Sequence, residues 1–237
     1  MENVKVNSDG LEFKLMRRKW EEFHGITAAF ITLNESENIL EFIKHIRPIV
    51  TRIVMIDGGS VDNTVELAKP YVDVLKIVPF KGHFAEQKNI ALSFVYSDWT
   101  LFLDPDERLS DEARKKIPKM IEQDDFDCYK FPRREFIGGE ENKDPYPDYQ
   151  SRLFRTYCRF VRPIHEEVVG WKECKSLEEN SIFDILHHKK KNRHIERNSV
   201  YPFFGMHYVH EIGSPGEQVR ETFKEPKNLI TDRDGEK

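Results

Sequence analysis

Residues 99–110, WTLFLDPDERLS, are largely apolar for five positions and then place Asp104, Asp106 and Glu107 within four. Carboxylates this close repel and raise each other's pKa unless a cation or hydrogen-bond donors sit among them. Two chemistries would relieve the conflict. Ser110, Asp111 and Glu112 read as a helix start, where a hydroxyl cap and acids are stabilising. The other is a hard divalent cation, Mg²⁺ or Mn²⁺, which often takes only one or two carboxylates and completes its shell with water and substrate phosphate. Two aspartates one residue apart suit such an ion. A calcium loop of the EF-hand type fails, because Arg108 and Leu109 stand where an oxygen ligand and a glycine would be needed. A second acidic loop, IDGGSVDNT at residues 56–64, holds Asp57 and Asp62. Turn chemistry and a helix cap explain it as readily as a ligand does. Its glycines lack the spacing of a P-loop or a dinucleotide fingerprint, which disfavours a Rossmann oxidoreductase.

These loops need elements to present them. ITAAFIT is a short apolar run that suits a buried strand, and Ile39, Phe42, Ile43 and Ile46 then recur on one helical face before Pro48. Asn34 and Glu37 fit a capping pair for that helix. RIVMID, VDVLKIV and WTLFL read as further strands, with NTVELAKPY and FAEQKNIALSFV as helices between them. Alternating strands and helices predict a mostly parallel α/β sheet with helical crossovers. In such a sheet ligands gather beyond the carboxyl ends of the strands, where IT, IDGGS and LDPDE all lie.

The chain has 237 residues, 38% of them hydrophobic, enough to bury a real core. A net charge of -5 among 33% charged residues gives no global field, and no nucleic-acid partner is expected. Cys128, Cys158 and Cys174 are odd in number and lack metal-type spacing, which favours reduced thiols. The charged start MENVKVNSDG is unlike a signal peptide, and no apolar run approaches the roughly 18 residues of a membrane span. A cytoplasmic chain, with peripheral membrane contact as an option, is the expectation.

ITAAFITLNESENI, IVMIDGGSVDNTVELA, FAEQKNIAL and WTLFLDPDERL, in this order and at these separations, resemble the nucleotide-sugar domain of family 2 glycosyltransferases with the GT-A fold. The likeness is specific as a set. It continues more loosely through DYQSRLFR, IHEEV and ILHHK to about residue 190, and it is nearest to small bacterial enzymes that add a sugar to the lipopolysaccharide core or a related glycan. It implies a Rossmann-like, mostly parallel sheet flanked by helices, with a mixed acceptor-side portion. Residues 25–110 would form the nucleotide-sugar half and 111–190 the acceptor-side half of one domain, between extensions at 1–24 and 191–237.

What the resemblance implies for the site is residue-specific. Thr32, Asn34 and Glu35 would lie beside the nucleotide, and Asp57 would accept from the uracil ring. Lys88 stands where many relatives carry arginine near the base and diphosphate, keeping the charge but losing the planar fork. Asp104 would reach the ribose or the metal, and Asp106 would hold the Mn²⁺ or Mg²⁺ that bridges the donor phosphates. His187 matches a histidine that precedes a lysine near the diphosphate, with Lys189 nearby, while His188, Lys190 and Lys191 read as a solvated basic turn. RPIHEEVVG would supply the base that takes the acceptor hydroxyl's proton, with Glu166 first and His165 as its orienter. Strand alternation allows only one of Glu166 and Glu167 to face the cleft. Asp148 is the rival base, and Arg152 a loop or acceptor contact. For Glu166 and for this second pair a surface salt bridge is the alternative.

The expected partners are a nucleotide-sugar donor, a UDP-sugar foremost, and a glycan or lipid-linked acceptor. A catalytically silent nucleotide-sugar-binding scaffold is the alternative. A nucleotidyltransferase is less fitting, since TLNESEN is neither glycine-rich nor basic. Beyond residue 192, the aromatic stretch IERNSVYPFFGMHYVHEIG could pack on the core or meet a lipid-linked acceptor, and the polar tail reads as mobile.

Overall fold

Where β-branched and aromatic residues run without charge, the chain forms its central strands. The computed structural model describes residues 25–144 and 146–189. In it β1 (Ile26–Thr32), β2 (Arg52–Asp57), β3 (Val74–Ile77) and β4 (Trp99–Phe102) are the four runs expected above. They lie parallel in the order β3-β2-β1-β4. The intervening crossovers carry α1 (Ile39–Ile46), α2 (Thr64–Ala68) and α3 (Phe84–Leu92). After β4 the chain makes the short β5 (Glu107–Arg108) and then α4 (Asp111–Met120), which starts under a Ser110 cap whose Oγ accepts the Ala113 N–H at 3.0 Å.

The later strands are β6 (Cys128–Ile137), β7 (Glu140–Asn142), β8 (Asp148–Arg155), β9 (Arg159–Val161), β10 (Glu167–Val169), β11 (Cys174–Ser176) and β12 (Ile185–Lys189). The sheet continues past β4 through β8, β6 and β12 to β5, with β7 and β11 also on β6. β8 runs antiparallel to both β4 and β6, whereas β12 is parallel to β6. The sheet is therefore mostly parallel with a mixed second half, and β4–β8 pairing carries it unbroken across residue 110. β9 and β10 form a separate antiparallel ribbon.

Strand alternation sorts the core onto the two faces of this sheet. Ile26, Ala28 and Phe30 of β1 meet Ile53 and Met55 of β2, Phe42 and Ile46 of α1, and Ile117 of α4. Phe42 stands edge-on to Phe30 at 4.9 Å. Burying such a side chain contributes about 1.5–3 kcal/mol. Ala29, Val54, Ile56 and Phe102 turn the other way, toward Leu92 of α3 and Phe154 and Phe160.

One local expectation is corrected. α1 begins at Ile39, not after Asn34, and Asn34 does not pair with Glu37 as a cap. Asn34 adopts φ 54°, a left-handed conformation in which it cannot act as an extended N-cap, and its Oδ1 accepts the Val61 N–H at 2.9 Å instead. The Glu35 carbonyl takes the N–H groups of Asn38 and Ile39, both at 2.9 Å. Pro48 does end α1, inside a 3₁₀ turn at Arg47–Ile49.

Cys128, Cys158 and Cys174 are free thiols. Among the described residues no helix is long and apolar enough to cross a membrane. The extension at 1–24, Lys190 and Lys191, the aromatic stretch with its proposed membrane contact, and the polar tail lie outside the described residues.

Candidate active site

β1, β2 and β4 end on one edge of the sheet, so their following loops share it. The first two loops are bound together by hydrogen bonds. Asp57 is fully buried, and its Oδ1 accepts the Gly59 and Ser60 N–H groups at 2.9 and 2.8 Å while Oδ2 accepts Ser60 Oγ at 2.5 Å. Ser60 Oγ in turn accepts the Asn34 N–H at 2.8 Å. Gly59 has φ 99°, a backbone conformation that favours glycine. Glu35 donates its N–H to Thr64 Oγ1 at 2.7 Å, and its carboxylate accepts from Asn38 Nδ2 at 2.7 Å. Asp62, hydrogen-bonded by Thr64 and Ser36 against the cost of its burial, is pulled down to about 2. Thr32 Oγ1 is buried with no hydrogen-bond partner among the described residues.

The third loop opens onto a chain of alternating charges. Glu166 accepts from Lys88 Nζ, which is 4.0 Å from Asp104 Oδ1. Arg152 Nη2 donates to Asp104 Oδ2 at 3.0 Å and to Glu107 Oε1 at 2.5 Å. Arg133 Nη1 reaches the same Glu107 oxygen at 3.2 Å, and its Nε donates to Asp148 Oδ2 at 2.9 Å. Burial disfavours the Asp104 charge, but Lys88 and Arg152 outweigh it and hold the carboxyl well below the usual carboxylate range. Burial likewise opposes the Arg152 charge, and Glu107 and Asp104 push its pKa up regardless.

Local structure explains how each charge arrives. Lys88 lies on the inner face of α3 with Ala85 and Ala91, its ammonium 5.3 and 5.1 Å from the Phe102 and Phe160 ring centres. That cation–π contact tolerates a lysine whose side chain is only 4% exposed. Asn89, next on α3, bonds both the N–H and the carbonyl of Phe160, at 2.9 and 2.8 Å, and so docks β9 against the helix. The ribbon carrying β9 and β10 brings Glu166 to Lys88, while Glu167 turns away to Arg162 at 3.0 Å. Alternation puts Arg133 and Glu135 on one face of β6, with Asp148 of β8 opposite Arg133, while a register shift at Tyr129/Lys130 leaves Arg152 out of the β6–β8 pairing.

Asp106 and His187 make the second cluster. His187 Nε2 is 3.2 Å from Asp106 Oδ2, with both side chains buried. The Asp106 carbonyl accepts the His188 N–H at 3.0 Å, which ties the loop to β12. His187 Nδ1, buried without a hydrogen bond among the described residues, lies 3.8 Å from Glu135 Oε1, and Glu135 is its register partner across β6 and β12. Glu135 also receives Lys189 Nζ and, at 3.0 Å, Asn142 Nδ2, and these bonds lower its pKa despite burial.

Among the described residues no three His, Cys, Asp or Glu side chains form a ready cage for a metal. Asp106 and His187 nevertheless fit a hard divalent ion as two protein donors, the number such an ion takes when phosphate and water complete its shell. The nearby Glu135 carboxylate suits the orienting partner that metal-binding histidines use. Asp104 is neutralised by two cations instead.

Of the residues expected from sequence, Lys88, Asp104, Arg152 and Glu166 meet directly, and Asp148 joins through Arg133. Asp106 meets His187, while Lys189 stands behind Glu135. Thr32, Asn34, Glu35 and Asp57 form the adjoining loops. Sequence reasoning missed Glu107, Arg133, Glu135 and Asn89. Arg133 and Glu135 left a signal, as charges at alternate positions of an otherwise strand-like CYKFPRREFI.

Comparisons with known proteins bear on the family and the fold. The model of the family described as "Glycosyl transferase family 2" matches residues 27–174. An uncharacterized glycosyltransferase of Rickettsia prowazekii is 31% identical over 138 residues, covering 58% of this chain and 41% of that protein. The SPbeta prophage-derived glycosyltransferase SunS of Bacillus subtilis is 29% identical over 167 residues, 68% of this chain and 38% of its own length. The chain thus spans about two fifths of the curated relatives it matches. In fold it is similar to Staphylococcus aureus TarS in complex with UDP-GlcNAc, with a TM-score of 0.52 and 15% identity over 70% of this chain and 58% of that one.

Proposed function

The chain belongs to glycosyl transferase family 2, and from that premise we propose that it moves a sugar from a UDP-sugar to an acceptor hydroxyl with inversion. What carries this reading is the meeting of Glu166, Lys88 and Asp104 beside the Asp106–His187 pair at the carboxyl ends of the strands. UDP is the nucleotide we assign from the motif resemblance and from the UDP-GlcNAc held by TarS. The acceptor is a glycan or lipid-linked hydroxyl of the cell envelope, as the likeness to lipopolysaccharide-core enzymes suggests.

Each residue has a task on this reading. Thr32, Asn34 and Glu35 line the uridine side, Asp57 holds the Gly59–Ser60 turn of that side from within, and Asp104 accepts from the ribose. Asp106 and His187 hold Mn²⁺ or Mg²⁺, which when bound stabilises the charge that develops on the leaving diphosphate. Lys88, Arg152 and Lys189 supply fixed positive charge around that site. Glu166 is the base: Lys88 occupies its Oε1, and Oε2 takes the proton of the acceptor hydroxyl as that oxygen attacks the anomeric carbon. Asp148 is less suited, because Arg133 and Gln150 engage both of its oxygens.

The test is turnover on a UDP-sugar panel, read as UDP release or sugar transfer. Glu166→Gln should lower kcat by about 10²–10⁴ while leaving UDP affinity intact. Full turnover in Glu166→Gln together with its loss in Asp148→Asn would move the base to Asp148. A folded wild-type chain that binds UDP yet turns over none of the sugars, with acceptor extracts supplied, would favour the silent scaffold.

A further inference from the structure

Glu107 is the one acid of the DPDE run with no task so far, and it is the most enclosed, with a side chain that is 0% exposed. We infer that Glu107 is a positioning residue: it fixes the loop that bears Asp104 and Asp106 and thereby sets the metal-supported affinity for the nucleotide. The inference rests on the metal–nucleotide reading above.

Both of its carboxylate oxygens are engaged. Oε2 accepts the Asp104 N–H at 3.1 Å. Oε1 accepts from Arg152 at 2.5 Å and Arg133 at 3.2 Å, which brings β8 and β6 to the loop. Its backbone joins the same assembly. The Glu107 N–H donates to the Asp104 carbonyl at 2.9 Å, and Glu107 is the antiparallel register partner of His187. One residue therefore ties the loop together: its side chain holds the Asp104 N–H and the guanidinium that holds Asp104, and its backbone pairs with the strand bearing His187.

Stability alone is a poor account of such a group. A carboxylate enclosed between guanidiniums is costly to desolvate, and well-packed apolar replacements of buried ion pairs are often neutral or stabilising. Its distinctive product is geometric, because each of its bonds restrains a different neighbour of Asp104 and Asp106. Binding sites of this kind depend on supporting side chains that lock the contacting ones within about half an ångström.

The experiment is calorimetric titration of the whole chain with UDP, with and without Mn²⁺, for wild type and Glu107→Gln. The variant should lose about tenfold or more of the affinity gain that Mn²⁺ confers, a larger loss than any fall in its metal-free UDP affinity. An undiminished gain would overturn the inference, and so would an equal loss with and without metal, the mark of a general folding defect. A wild type whose UDP affinity ignores Mn²⁺ would remove the underlying reading and this inference together, an outcome visible before any variant is made. Should Glu107→Gln fail to fold, Glu107→Gln with Arg133→Met removes one stranded guanidinium and is judged by the same ratio.

Discussion

His45 stands behind the Asp104–Asp106 loop, and its protonation state should be felt in stability. Its Nε2 accepts the Leu109 N–H at 2.9 Å, which requires a neutral ring. Burial, aided by Arg114 and Arg108, pushes its pKa down from 6.5 to about 4. The folded value lies below the unfolded one, so the unfolded chain binds the extra proton. This contribution is therefore complete above pH 6.5 and is lost as pH falls toward 4. The gap is worth about 2 kcal/mol between pH 7.5 and 5, and partial exposure of the ring brings the expectation to about 1–2 kcal/mol. Urea unfolding at pH 7.5, 6 and 5 measures it, with His45→Gln as the comparator, since a glutamine oxygen can accept the Leu109 N–H without titrating. The difference in stability between wild type and variant should move by that amount over the interval, against wild type at low pH. A difference that stays constant from pH 7.5 to 5 would refute the assignment of a neutral, depressed His45.

Two further perturbations probe the loops and the charge chain. Gly59→Ala should cost about 1–3 kcal/mol from backbone conformation alone, since an added Cβ would meet nothing within 4 Å; denaturant unfolding would show it, and no loss at all would mean that the turn relaxes to a conformation open to alanine. Lys88→Met keeps an apolar stem between Phe102 and Phe160 but strips Glu166 of its cation, so stability should fall by about 1–3 kcal/mol and UDP affinity with it; unchanged UDP binding would separate Lys88 from the donor site.

The first half of the fold was legible because its signals are local. ITAAFIT, RIVMID and WTLFL are buried on both faces, so they read as continuous apolar runs, and the helix face of Ile39, Phe42, Ile43 and Ile46 is buried as its spacing requires. The second half was harder to read, because β6 and β8 carry Arg133, Glu135, Asp148 and Arg152 within their strand runs and a register shift lies between them, which breaks the apolar alternation. Asn34 misled because its capping chemistry was spent on Val61, a partner in the next loop. Glu107 was conspicuous as an acid, but its role depends on Arg133 and Arg152, 26 and 45 residues away, and pairing at that range is set by sheet register. Lys88 carried a hint, a charge on the inner face of a helix, yet its partner Glu166 lies 78 residues on.

Melting temperature in UDP, GDP or CMP, each with and without Mn²⁺, tests for a metal-supported nucleotide site built on Asp106 without knowledge of the acceptor. A ligand that binds only the folded chain stabilises it by about 2.7 kcal/mol at a hundredfold excess over Kd. UDP should raise the melting temperature, and Mn²⁺ should enlarge that shift in wild type and fail to enlarge it in Asp106→Asn. A melting temperature indifferent to every nucleotide, or a Mn²⁺ effect that survives Asp106→Asn in full, would contradict such a site.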